Sequence, residues 1–160
     1  MNKVIFFLAI LLCSLSAVGQ CSPNVFDAEF VSNNDGDTFV AIIKIPSNKK
    51  YFEFEEQKIS VRLHNCDTFE NSKKGKRHQT PNQNMLADKA KLRLTQILQG
   101  QKITLHLLYK DGYGKRWVSD VYVNDRKPRV GLILKQEGLT TGKYENHPAK
   151  KAKIIKIKKR

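Results

Sequence analysis

The sequence predicts a mainly β fold with helices, an α+β domain built on a five-stranded barrel, on the strength of three observations. Short runs rich in β-branched and aromatic residues recur between turn signals, at 26–32, 38–45, 58–66, 102–109 and 117–123. One long segment of helical period, with its own start and stop signals, separates the third run from the fourth. A second, shorter apolar segment follows the fifth. Five strands interrupted by one helix and closed by another fit a five-stranded barrel of the OB type better than a doubly wound sheet.

Each element has a local reason. Asn33-Asn34-Asp35-Gly36-Asp37 is a strong turn signal between the first two strands, and Pro46-Ser47-Asn48-Lys49-Lys50 breaks the next pair. The stretch 71–79 is polar and basic and contains Gly75, so it reads as a loop. Thr80-Pro81-Asn82-Gln83 opens the long helix: Thr80 caps, Pro81 suits the first helical position and Gln83 completes a capping box. Met85, Leu86, Ala90, Leu94, Ile97 and Leu98 fall broadly on one face, and Gly100 suits a left-handed stop. Asp111-Gly112-Tyr113-Gly114 turns the chain into the fifth strand. A second turn, 124–128, leads to a short helix over 130–137, stopped by Gly138.

The first twenty residues read as a leader outside the fold. Lys3 is followed by an apolar run over 4–15, and Ser16-Ala17-Val18-Gly19 offers small residues where a signal peptidase cuts, so export to an extracellular or periplasmic space is expected. A retained anchor and a lipid-modified Cys21 are the competing readings, and Gln20 beside the cysteine fits lipidation poorly. The remaining residues, about 141, suffice for one domain, expected over 24–144. Two cysteines outside the leader, Cys21 and Cys66, make no disulfide framework, and Cys66 reads as a small buried hydrophobe. Lys+Arg number 29 against 15 Asp+Glu, a net charge of +14 that implies a polyanionic partner such as nucleic acid, anionic lipid or acidic glycan. Much of the excess lies in a basic tail over 145–160, read as disordered, with anionic cell-surface contact as its alternative role.

Two stretches carry chemistry. Asp35-Gly36-Asp37-Thr38 stands at a strand entrance, and Arg62-Leu63-His64-Asn65-Cys66-Asp67-Thr68-Phe69-Glu70 at a strand exit. They place several carboxylates and one arginine at the ends of sheet strands. Carboxylate and carbonyl oxygens suit a hard cation such as Ca²⁺, and no Cys/His cluster has zinc spacing. An arginine fork beside a cation would hold a phosphate, and a nearby glutamate could orient or deprotonate a water. Taken singly, Asp35, Asp37 and Asp67 read as turn formers and loop caps; the set is what points to phosphodiester cleavage.

Asp-Gly-Asp-Thr, then Arg with Asp-Thr five and six residues on and Glu two after that threonine, resembles the staphylococcal nuclease family. Asp111-Gly112-Tyr113-Gly114-Lys115-Arg116 is similar to that family's Asp-x-Tyr-Gly-Arg element, and the likeness runs from Val25 to Gly138. The resemblance implies an endonuclease on an OB-type barrel that cuts DNA and RNA with little sequence specificity and leaves 3′-phosphate ends. It implies Asp37, Asp67 and the Thr68 carbonyl as Ca²⁺ ligands, Arg62 on the scissile phosphate and Glu70 on the attacking water. A second arginine follows from the third element. Ungapped counting puts Lys115 there, whereas one inserted residue puts Arg116 there and aligns the strand after it. Arg116 is preferred because a point-charge ammonium does not replace a fork. Phe69 replaces the family's usual proline. Asp35 reads as a partly buried turn acid and not a ligand.

His64 reads as a surface or partly packed histidine, with a catalytic role as the sharper alternative. Trp117 reads as core, and Tyr113 and Tyr144 as packing residues or base-stacking platforms. A non-catalytic OB-type nucleic-acid-binding module competes with the enzyme, and a basic surface-attachment protein is the third class. The presence of Asp37, Arg62, Asp67 and Glu70 together disfavours the module. The expected partners are DNA and RNA, with the chain a monomer.

Overall fold

The computed structural model describes residues 24–46, 54–70, 80–112 and 114–142. The leader, the tail, Tyr113, Tyr144, Cys21 and the loop over 71–79 lie outside the described residues, as does the break after Pro46.

Five strands close into a barrel: β1 (Val25–Asn33), β2 (Thr38–Pro46), β3 (Phe54–Leu63), β4 (Ile103–Lys110) and β5 (Trp117–Val123). Around the barrel the order is β1-β2-β3-β5-β4, with β4 returning to β1. All neighbours are antiparallel except β3 and β5, whose parallel contact runs over Val61↔Trp117, Arg62↔Val118 and Leu63↔Ser119. Alternation along the strands fills the interior: Phe39, Ala41 and Ile43 from β2, Ile59, Val61 and Leu63 from β3, and Ile103, Leu105 and Leu107 from β4. Trp117 is half-buried and packs against this core from its margin, with the Lys110 ammonium 5.1 Å from its ring centroid. It is a wall residue with a cation on its face, which the plain core reading did not anticipate.

Two helices follow the expected plan. Helix α1 (Pro81–Leu98) starts with the capping box: Gln83 N–H donates to Thr80 Oγ1 at 3.3 Å, and Thr80 N–H to Gln83 Oε1 at 3.0 Å. It ends before Gly100, whose φ of 70° is the left-handed stop. Its buried face is Ala87, Ala90, Leu94 and Leu98, spaced by three and four residues. Met85 is a correction. At about 100° per residue it falls on the side of the helix away from Ala87 and Ala90, and it is half exposed. Helix α2 (Val130–Gln136) buries Val130 and Leu134. A paired contact from Arg93 to Glu137, at 2.7 and 2.8 Å, joins the two helices at the surface.

Gly36 sets the distance between the first turn and α1. A Cβ at that position would lie 2.5 Å from Ala90 Cβ and 2.8 Å from Thr68 Oγ1. The demand here is for space, because no left-handed backbone is involved. The turn that carries Asp37, the helix and the loop that carries Thr68 are thereby packed at one point.

Gly36→Ala is expected to destabilise the fold by about 1–3 kcal/mol through overpacking. In a denaturant series the Gly36→Ala/Ala90→Gly pair should lose less than the sum of the single changes, since removing the Ala90 methyl relieves the closest contact.

Candidate functional site

The head of β2 and the tail of β3 are neighbours, with Thr38 opposite Arg62. Beyond the ladder, Leu63 N–H donates to Asp37 O at 2.8 Å, so the turn before β2 is held to the end of β3. Asp35 tightens that turn by accepting the Asp37 N–H on Oδ1 at 3.3 Å. It is half-buried and engaged with its own backbone, as expected of a turn acid.

Arg62 is the centre of the site. Its Nη2 donates to Asp37 Oδ2 at 3.2 Å and to Asp67 Oδ1 at 2.9 Å. Asp37 is buried, and its other oxygen accepts the Thr38 hydroxyl at 2.8 Å. The Thr68 N–H approaches Asp37 Oδ2 at 3.4 Å, and Thr68 itself is buried. Asp67 is held on its second oxygen by the Thr141 hydroxyl at 2.9 Å, while the Thr141 N–H donates to the Asp67 carbonyl at 2.8 Å. Asp37, Arg62, Asp67 and Thr68 therefore come together as expected, and Thr141 joins them unannounced.

Burial is the largest influence on the Asp37 carboxyl and pushes it up to about 7. The positive Arg62 and the Thr38 hydroxyl pull it back only in part, and the charge of Asp35 adds to the rise. The site as built thus supplies too little positive charge for its buried acid. That shortfall, with a donor set of carboxylate and backbone oxygens, fits a hard divalent cation. Among the described residues no three His, Cys, Asp or Glu side chains form a metal-ligand group. Two carboxylates and the Thr68 carbonyl would leave the rest of the shell to water.

The other expected residues make no hydrogen bond to this cluster among the described residues. Glu70 is exposed and accepts no hydrogen bond from a described residue. Arg116 sits at the base of the β4–β5 turn, just before the Trp117↔Val61 pair, and donates from Nε to Asp111 Oδ2 at 2.7 Å. Asp111 Oδ1 meanwhile accepts the backbone N–H groups of Lys115 and Arg116 at 3.2 and 3.4 Å. Lys115 is exposed. Cys66 is buried as a free thiol behind the cluster; burial, then the charges of Asp37 and Asp67, push it up to about 12, so it is inert.

His64 follows the packed reading, in company the sequence did not disclose. Strand β3 ends at Leu63, so His64 is the first residue beyond it. Its Nδ1 lies 2.9 Å from Asp120 Oδ1, which also accepts from Arg129 Nη1, and its ring meets Tyr109 edge-on. His64 Nε2 is buried with no partner among the described residues.

A family model, staphylococcal nuclease homologue, matches residues 60–160. The chain belongs to this family. Membership makes it one of a group of nucleases and nucleic-acid-binding proteins, and the closed barrel with two helices agrees with that fold. The match begins in β3, so the Asp35-Gly36-Asp37-Thr38 turn lies outside it, and the barrel alone brings that turn to Arg62. A comparison with curated proteins returned no match.

Asp111 orders the turn that presents Arg116. Burial raises its carboxyl, but the hydrogen bonds and charge of Arg116 outweigh this and hold it below the ordinary value of 3.8. Its contribution is present above that value and is lost as the pH falls through the lowered one. Asp111→Ala is expected to cost about 1 kcal/mol at pH 7. Urea unfolding repeated at falling pH should show the difference shrinking below 3.8.

Proposed function

We propose that the chain is a Ca²⁺-dependent endonuclease that hydrolyses phosphodiester bonds of DNA and RNA with little sequence specificity. One observation carries this reading: a single arginine nitrogen is shared by a buried and a half-exposed carboxylate at the mouth of the barrel. Both bonds use Nη2, which leaves the rest of the Arg62 fork to receive phosphate oxygens. Asp37, Asp67 and the Thr68 carbonyl would hold Ca²⁺, which when bound supplies positive charge that polarises the phosphoryl group.

The remaining chemistry belongs to side chains. Glu70 is exposed three residues after Asp67, and its carboxylate is the group we assign to orient a water or take its proton. Arg116 is engaged through Nε by Asp111, which aims the guanidinium and leaves its terminal nitrogens for charge developing on the phosphate. That supports Arg116 over Lys115 as the second phosphate-binding cation. The surplus of positive charge supports salt-dependent affinity for the nucleic-acid backbone. We further propose 3′-phosphate products, a monomeric chain and export from the cell with removal of the leader, Cys21 lipidation being the alternative fate of that end.

A non-catalytic nucleic-acid-binding module is the second reading. It is favoured by one feature: Glu70 is exposed and has no hydrogen bond to the Arg62 cluster.

Degradation of plasmid and single-stranded DNA, run with Ca²⁺ and with a chelator, tests the enzyme. Activity should require Ca²⁺, and Arg62→Ala should lower the rate by about 10²–10³-fold, the scale of a lost charge-stabilising donor. Glu70→Gln should also lower it sharply. Folded wild type that binds DNA in Ca²⁺ without cutting it would replace the enzyme with the binding module.

The two cations are separated by the same assay. Arg116→Ala is expected to cost about 10²-fold, with Lys115→Ala within a few-fold of wild type. The reverse order would place Lys115 on the phosphate.

A further inference from the structure

The chain after α2 returns to the site and grips it at one residue. Gly131 begins the approach: a Cβ there would lie 3.1 Å from Cys66 Cβ and 3.3 Å from the His64 carbonyl, so the helix packs tightly on the turn before Asp67. After Gly138, with its φ of 70°, the chain reverses and Leu139 is buried. Thr141 then makes two bonds to a single residue: its N–H to the Asp67 carbonyl, and its hydroxyl to Asp67 Oδ2.

We propose that Thr141 is a positioning residue for divalent-cation binding, acting through Asp67; this rests on the Ca²⁺-dependent reading above. The Asp67 side chain is 40% exposed, so burial alone does not fix its rotamer. One oxygen is held by Arg62 and the other by Thr141, and two bonds from opposite partners set the plane of the carboxylate. Asp37 needs no such help, since it is buried and accepts from Thr38. Thr141 thus completes the orientation of the more exposed of the two acids. Outer partners that orient a metal ligand typically change affinity by about 10–100-fold when removed.

The backbone bond makes the test selective. Thr141→Val keeps the β-branched shape and the N–H to the Asp67 carbonyl and removes only the hydroxyl; Thr141→Ala removes it a second way, and Thr141→Ser restores it. Ca²⁺ binding to the full chain would be followed by calorimetric titration, with the thermal midpoint measured in chelator as a check on the fold. The expected result is about tenfold weaker Ca²⁺ binding in the Val and Ala variants, near-wild-type binding in Thr141→Ser, and similar midpoints for all in chelator. In DNA cleavage the same two variants should need more Ca²⁺ for half-maximal rate while approaching the wild-type rate at saturation. Wild-type affinity, or tighter binding, in both hydroxyl-less variants would overturn this inference alone. Wild type that takes up no Ca²⁺ would overturn the cation reading and this inference with it.

Discussion

Arg62 occupies the position on which the candidate site depends, because it is the cation that lets two carboxylates stand close together. Asp37 is taken out of water by the barrel mouth, and an isolated buried carboxylate is costly. Arg62 offsets part of that cost and uses the same nitrogen to draw in Asp67. Burial outweighs that help, and the Asp37 carboxyl is pushed up to about 7. A pocket fully neutralised by its own side chains would have little attraction for a further cation. Here a buried and a half-exposed carboxylate share one Arg62 nitrogen.

The supporting shell works at three levels. Space comes first: Gly36 leaves no room for a Cβ between α1 and the turn that carries Asp37, and Gly131 lets α2 lie close to the turn before Asp67. Hydrogen bonds then orient the acids, with Thr38 on Asp37 and Thr141 on Asp67. A separate polar cluster, His64 with Asp120 and Arg129, ties the end of β3 to β5 and to the residue before α2. None of these groups needs to touch a substrate to matter, because reacting geometry is sensitive to small displacements.

Most of the architecture was legible in the sequence, and what was missed has a common cause. The capped helix, the glycine stops, the five strands and the acidic turn are local features, written in neighbouring residues. Asp37, Arg62, Asp67 and Thr68 were legible because they lie in two short segments at the ends of paired strands. Thr141 was not, since the residue it holds is 74 positions away and nothing around it forms a motif. The partners of His64 were hidden for the same reason: Asp120 becomes its neighbour only through the Leu63↔Ser119 pairing. Met85 was misplaced by reading an apolar stripe too broadly, where the helix buries the small Ala87 instead.

The parallel contact of β3 with β5 has a consequence for how the molecule is made. It spans three residue pairs and joins segments separated by α1 and β4. Non-local pairings of this kind are slow to form, because the loop entropy is lost before the contacts reward it. The strand that follows the Arg116 turn meets the strand bearing Arg62 there, and Thr141 reaches Asp67 from the chain beyond α2. A newly made or stretched chain therefore carries all of these residues without carrying the site. The candidate site is a property of the closed barrel and of no single segment of the chain.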